Sequence, residues 1–253
     1  MKKLFIGIAF VLFSVCLKAA APASFQNDLR APAYPLVTVD PYFSVWSFTD
    51  EANGDMTRHW SGRKQPLLAA VRVDGVTYRL LGNEKQVPDP MFGRSPHKQP
   101  EDPLYSRQET VVFDNPAVQT AVNVLPTSTV YTFECGPVRV RMSFVAPLLL
   151  ADLELLSRPV NYLSFNVEPI DRGKHNVEIY FEASPRLAVD LDVVPVTVEN
   201  GSADGVKYLK VGTADQKVLE KRGDDVRIDW GYFYLAPVSG KGNLAIVSSE
   251  RAR

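Results

Sequence analysis

Trp46, Asp50, Asp55, Arg58, His59 and Trp60 stand within fifteen residues of one another, the last three in the run Thr57-Arg58-His59-Trp60. Rings that cover a carbon skeleton, with charges that fix its ends, are the parts of a site for a small polar molecule. These six residues are therefore candidates for a substrate-binding or interface loop. The competing reading packs Trp60 under a sheet edge while Arg58 and His59 bond loop carbonyls. No complete catalytic set accompanies them, and no catalytic residue is assigned. Cys135 has neither a helix start nor a histidine beside it to lower its pKa, so it reads as a packed thiol. Gly93-Arg94-Ser95 lacks the second glycine of a nucleophile elbow. His59, His97 and His175 are scattered, without zinc-ligand spacing. Asp190 and Asp192, and the group Asp50, Glu51 and Asp55, lack the D-x-D-x-D-G calcium loop and read as solvated acids. The expectation is no metal and no cofactor.

The elements around this stretch alternate as strands. Residues 34–39 and 42–48 are rich in β-branched and aromatic side chains and are separated by Asp40-Pro41, which cannot sit in a central ladder. Residues 67–73 and 76–81 flank Asp74-Gly75, the signature of a type I′ hairpin. The connection over 49–65 is long, and such loops are usually functional, which places it at an interface or cleft and outside the β core. Five prolines between 86 and 107 mark a loop or linker. Strand patterns recur over 119–125, 129–134, 138–144, 160–167, 177–183, 193–199, 206–211, 226–235 and 244–248. Asn200-Gly201 is the expected turn between the sixth and seventh of these. Residues 148–156 are the one helical candidate after the N-terminus. The predicted class is all-β: an antiparallel β-sandwich of two large twisted sheets, supersandwich-like, with little helix.

Residues 1–23 have two lysines, an apolar run and a small-residue segment, the layout of a secretory signal peptide cleaved after Ala23. The expected location is periplasmic or extracellular. The run is too short to cross a bilayer comfortably, and no later segment is apolar enough, so no membrane association is expected after cleavage. Removal of the leader takes Lys2, Lys3 and Lys18 and leaves 25 basic against 29 acidic residues. That balance, without a basic block, argues against nucleic acid as a partner. Cys16 lies in the leader, so Cys135 has no partner for an internal disulfide.

Three stretches carry a family resemblance: DPYFSVWSFTDEANGDMTRHWSGRKQPLLAAVRVDGVTYRLLG, VLPTSTVYTFECGPVRVRMSFVAPLLLADLELLSRPVNYLSFNV and DWGYFYLA. They resemble the N-terminal segment and the following β domain of the secreted glutaminase A family. The resemblance implies an N-terminal β segment over residues 24–85 and a β-sandwich domain, truncated, over 108–253. It also implies a partner, a C-terminal helical (α/α)6-type catalytic domain that would lie beyond Arg253, and a family reaction from L-glutamine to L-glutamate and ammonia. On this reading the chain is non-catalytic, packs against the helical domain and lines its cleft. The alternative is a stand-alone secreted module that binds carbohydrate or protein. An exposed apolar patch where a partner docks would separate the two.

Overall fold

The computed structural model describes residues 30–83, 113–191, 194–223, 225–237 and 243–244. The leader over 1–23, the proline-rich stretch over 86–107, His97, Asp192 and most of the strand expected over 244–248 lie outside the described residues.

β1 (Tyr34–Asp40) and β2 (Phe43–Ser47) form an antiparallel hairpin. Its turn is closed by Asp40, whose Oδ1 accepts the backbone N–H groups of Tyr42 and Phe43 at 2.8 and 2.9 Å. This Asx geometry lets Pro41, which has no N–H to give a ladder, sit at the corner. The two-residue strand β3 (Arg58–His59) pairs with the other edge of β2. β4 (Leu67–Val73) and β5 (Val76–Leu81) meet at Asp74-Gly75, whose φ values of 47° and 90° are those a type I′ turn requires. β6 (Val118–Leu125), β7 (Ser128–Cys135), β8 (Val138–Val145) and β9 (Tyr162–Pro169) form a four-stranded antiparallel sheet. β8 shows the alternation plainly, with Val138, Val140, Met142 and Phe144 buried and Arg139 and Arg141 exposed. β10 (Val177–Ala183) pairs with β4, so an early hairpin and a late strand share one ladder. A 3-10 turn, Pro185–Ala188, then leads to a third unit, β11 (Val196–Ala203), β12 (Val206–Thr213) and β13 (Phe233–Leu235).

All of these ladders are antiparallel, as the alternation predicts. Hydrogen bonding divides the strands among four short sheets. Register shifts in the β1–β2, β4–β5 and β6–β7 pairs bend the ladders and break up their continuity. A single core joins the first three sheets: Tyr34, Leu36 and Val45 meet Val71, Leu80 and Leu81 from the β4–β5 hairpin and Tyr131, Phe133 and Met142 from the four-stranded sheet.

Three local expectations change. Asn200-Gly201 lies inside β11, and the turn falls at Asp204-Gly205, where φ is 50° and 80°. Gly201 is needed for another reason, since a Cβ there would collide with the ring of Tyr208 on the paired strand. The strand expected over 226–235 contracts to β13, because 225–231 is held by side-chain and isolated backbone bonds, among them Ile228 N–H to the Tyr42 carbonyl at 3.0 Å. The helix expected over 148–156 is a single turn, α1 (Leu153–Ser157), capped by Asp152 and burying none of its side chains.

Candidate binding cleft

The connection over 49–65 is not an open loop. Thr57 Oγ1 donates to the Gln65 carbonyl at 2.6 Å and accepts the Leu67 N–H at 2.7 Å, which pins the middle of the connection to its C-terminal end. Asn53 Nδ2 donates to the carbonyls of Arg79 and Ala117 at 3.1 and 3.0 Å, anchoring the turn to β5 and to the start of β6. Ala52, Asn53, Thr57, Arg58, His59 and Gln65 are buried as a result. The expectation that this stretch stays out of the packed interior is therefore corrected for Arg58 and His59, while Asp50 and Trp60 remain exposed. Short side-chain donors and acceptors replace the ladder bonds that a long crossing would otherwise leave unmade.

His59 and Trp60 are held by one acceptor. His59 Nε2 donates to the Pro41 carbonyl at 3.0 Å and Trp60 Nε1 donates to the same oxygen at 2.6 Å. His59 Nδ1, the acceptor nitrogen of that tautomer, faces Ser61 Oγ at 2.8 Å. Burial pushes the His59 pKa below the usual imidazole value, against the opposing effect of the Pro41 carbonyl, so the ring is neutral near pH 7. It packs beside the indole of Trp60 with centroids 5.5 Å apart. Trp60 itself keeps 45% of its surface exposed.

That indole stands at a cleft of about 540 Å³ between the β1–β2 hairpin and the β6–β7 turn. Trp46 lines it too, its Nε1 already donating to Ser44 Oγ at 2.7 Å, so both tryptophans offer ring faces and no free N–H. Pro126, Thr127, Phe144 and Leu148 form the opposite wall. Among the described residues lining the cleft none is cationic, and the single acid, Asp40, is engaged by its own turn. A free amino acid would find hydroxyls but no cationic side chain for its carboxylate among these lining residues.

The remaining predicted residues are placed elsewhere. Arg58 turns its Nε and Nη2 to Asp55 Oδ2 at 3.2 and 3.0 Å and its Nη1 to the Gly62 carbonyl at 3.2 Å, a buried brace for the loop. Asp50 takes Arg30 in a bidentate pair at 2.7 to 2.9 Å, which holds its carboxyl below the usual range. The charges expected to grip a polar substrate thus serve the loop that presents Trp60.

One polar assembly was not legible. Lys221 Nζ bridges Asp190 Oδ2 at 2.7 Å and Asp229 Oδ2 at 2.9 Å, and the Arg227 N–H donates to Asp190 Oδ1 at 3.1 Å. Burial would lower the Lys221 pKa, but the two carboxylates outweigh it and the value is raised. Arg63 pairs with Asp225 at 2.8 Å. Asp190, read above as a solvated acid, is instead buried and occupied by cationic side chains, and no group of three or more metal-ligating side chains forms among the described residues. Cys135 is buried in the core, and burial pushes its thiol up to about 12.

Comparison with known proteins adds three findings. Residues 127–252 match a domain of unknown function, DUF5127, and residues 10–90 match another, DUF4964. The chain is distantly similar to glutaminase A of Aspergillus oryzae (strain ATCC 42149 / RIB 40), with 26% identity over 239 residues. That match takes in 88% of this chain and 30% of the fungal protein, so the chain spans under a third of the length of the curated relative it matches. Among the described residues no helix is long and apolar enough to cross a membrane.

Proposed function

We propose that this chain is the non-catalytic N-terminal β region of an exported glutaminase A-like hydrolase, with segments at residues 24–85 and 108–253 joined through 86–107. The observation that carries this reading is the extent of the similarity, since nearly all of this chain answers to under a third of the relative. Glutamine hydrolysis needs an activated nucleophile and donors for a developing oxyanion. The buried, protonated thiol of Cys135 and a cleft with no cationic side chain among its described lining residues support placing that chemistry in a C-terminal helical part. Trp46 and Trp60 then give an apolar wall to the junction, while Asp55, Arg58 and His59 fix its shape.

The test is ammonia release from L-glutamine by the purified chain. No release above a boiled control is expected. Release well above it, abolished by one substitution in this chain, would overturn the reading. Mass spectrometry of the exported product should find Ser24 at its N-terminus.

A further inference from the structure

A second surface, remote in kind from the tryptophan cleft, lies on the sheet formed by β11, β12 and β13. Its register places Glu199 and Gly201 of β11 opposite Lys210 and Tyr208 of β12, and Tyr234 of β13 on the other side of Lys210. Side chains alternate across a sheet, so these groups share one face. The opposite face is the packed one: Phe233 stacks on Phe43 with centroids 6.0 Å apart and joins the core.

The exposed face is built around three tyrosines. Tyr234 stands edge-on between Tyr208 and Tyr232, with centroids 5.3 and 6.4 Å away and interplanar angles of 68° and 70°. Two glycines make room for the rings, because a Cβ on Gly201 would strike Tyr208 and one on Gly212 would strike Tyr232. Glycine inside a strand is unfavourable and marks a close approach. Tyr232 and Tyr234 nevertheless keep 44% and 51% of their surface in solvent. Cross-strand packing explains the contact of Tyr234 with Tyr208 and leaves that exposure unaccounted for.

We propose that this tyrosine face binds a neutral glycan chain. The charges on it cancel: Lys210 Nζ pairs with Glu199 Oε2 at 3.2 Å and sits 4.0 Å above the Tyr232 ring. A neutral surface that offers aromatic faces together with phenol hydroxyls and an ion pair suits a ligand with alternating C–H faces and hydroxyls. Protein interfaces deplete lysine and glutamate at their centres, where this face has both. Single-stranded nucleic acid would require a basic groove, and the lysine here is already neutralised. The proposal is independent of the cleft and of the hydrolase reading, and it stands if either fails.

The test is native affinity electrophoresis of the full chain through gels containing hydroxyethylcellulose, xylan, galactomannan or soluble starch. Retardation by at least one of them is expected. Tyr232→Leu and Tyr234→Leu, which keep apolar cross-strand packing and remove the ring, should each weaken it about tenfold. Tyr234→Phe should retain it, and Tyr162→Ala, an exposed tyrosine on another sheet, should leave it unchanged. Unfolding in urea reports whether each variant is folded. The proposal is overturned if no neutral polysaccharide retards the chain, or if the folded Leu variants are retarded as much as the wild type. Binding confined to a protein or a polyanion also overturns it.

Discussion

His59 has both ring nitrogens engaged and no exposed surface, whereas Trp60, next in the chain, gives 45% of its surface to solvent. Truncating the fully buried histidine leaves a cavity and removes its bond to the Pro41 carbonyl, so His59→Ala should lower stability by about 2 kcal/mol in urea unfolding. Trp60→Ala removes one hydrogen bond and a half-exposed ring, and should cost under about 1 kcal/mol. In a longer hydrolase of this type, turnover should then fall with the Trp60 variant out of proportion to its stability, and with the His59 variant only as the folded fraction falls. Equal losses of stability would remove the distinction. Cys135 gives a second prediction: with its pKa pushed to about 12 and no exposure, it should not react with a disulfide reagent near pH 8 until the chain unfolds. Prompt labelling of the native protein would contradict the burial.

At the scale of elements, the β4–β5 turn is tied to the loop before β10 by His175. Its Nδ1 lies 2.6 Å from Asp74 Oδ2 and its Nε2 2.9 Å from Asp171 Oδ1. A neutral imidazole can donate from one nitrogen only, so two carboxylate partners require the imidazolium. Asp171 and then Asp74 raise the His175 pKa, and the histidine in turn depresses both carboxyls. The histidine contribution is complete below about pH 6.5 and is lost as pH rises through the raised folded value. The aspartate contribution is complete above about pH 4 and is lost as pH falls through the depressed folded values. The difference in melting temperature between wild type and His175→Ala should therefore be greatest between these limits and shrink at alkaline pH; a difference independent of pH would refute the clamp. Nothing local announces this contact, because its partners are about a hundred residues apart in sequence. The Asp74-Gly75 turn was legible because its signal sits in two adjacent residues. Asn200-Gly201 carries a similar signal and misleads, since the choice between it and Asp204-Gly205 depends on Tyr208 needing the space above Gly201. Trp46 and Trp60 could be picked out as ring-bearing residues near one another. The wall facing them, from 125–129 and 144–148, comes from strands whose position only long-range pairing decides.

Considered whole, the molecule carries an apolar strip without cover among the described residues. Leu150 is 84% exposed in the turn before α1, Leu153 is 74% exposed within that helical turn, which buries nothing, and neighbouring Leu148 reaches the tryptophan cleft. Contiguous exposed leucines mark an interaction surface or a tendency to associate. The purified chain should sediment as a concentration-dependent mixture, and Leu150→Glu with Leu153→Glu should shift it to monomer while changing stability by no more than about 0.5 kcal/mol. A wild-type monomer at high concentration would argue that the strip is inert.

The carbonyl of Pro41 has a consequence for how this surface can change over generations. Because one oxygen receives both His59 and Trp60, the aim of the indole is set by a turn it does not belong to. A lineage could redirect the ring by altering residues 40–42 and never touch the tryptophan. Selection for a different occupant of the cleft would then leave its mark on the hairpin corner, and a library meant to retune the mouth should diversify that corner first.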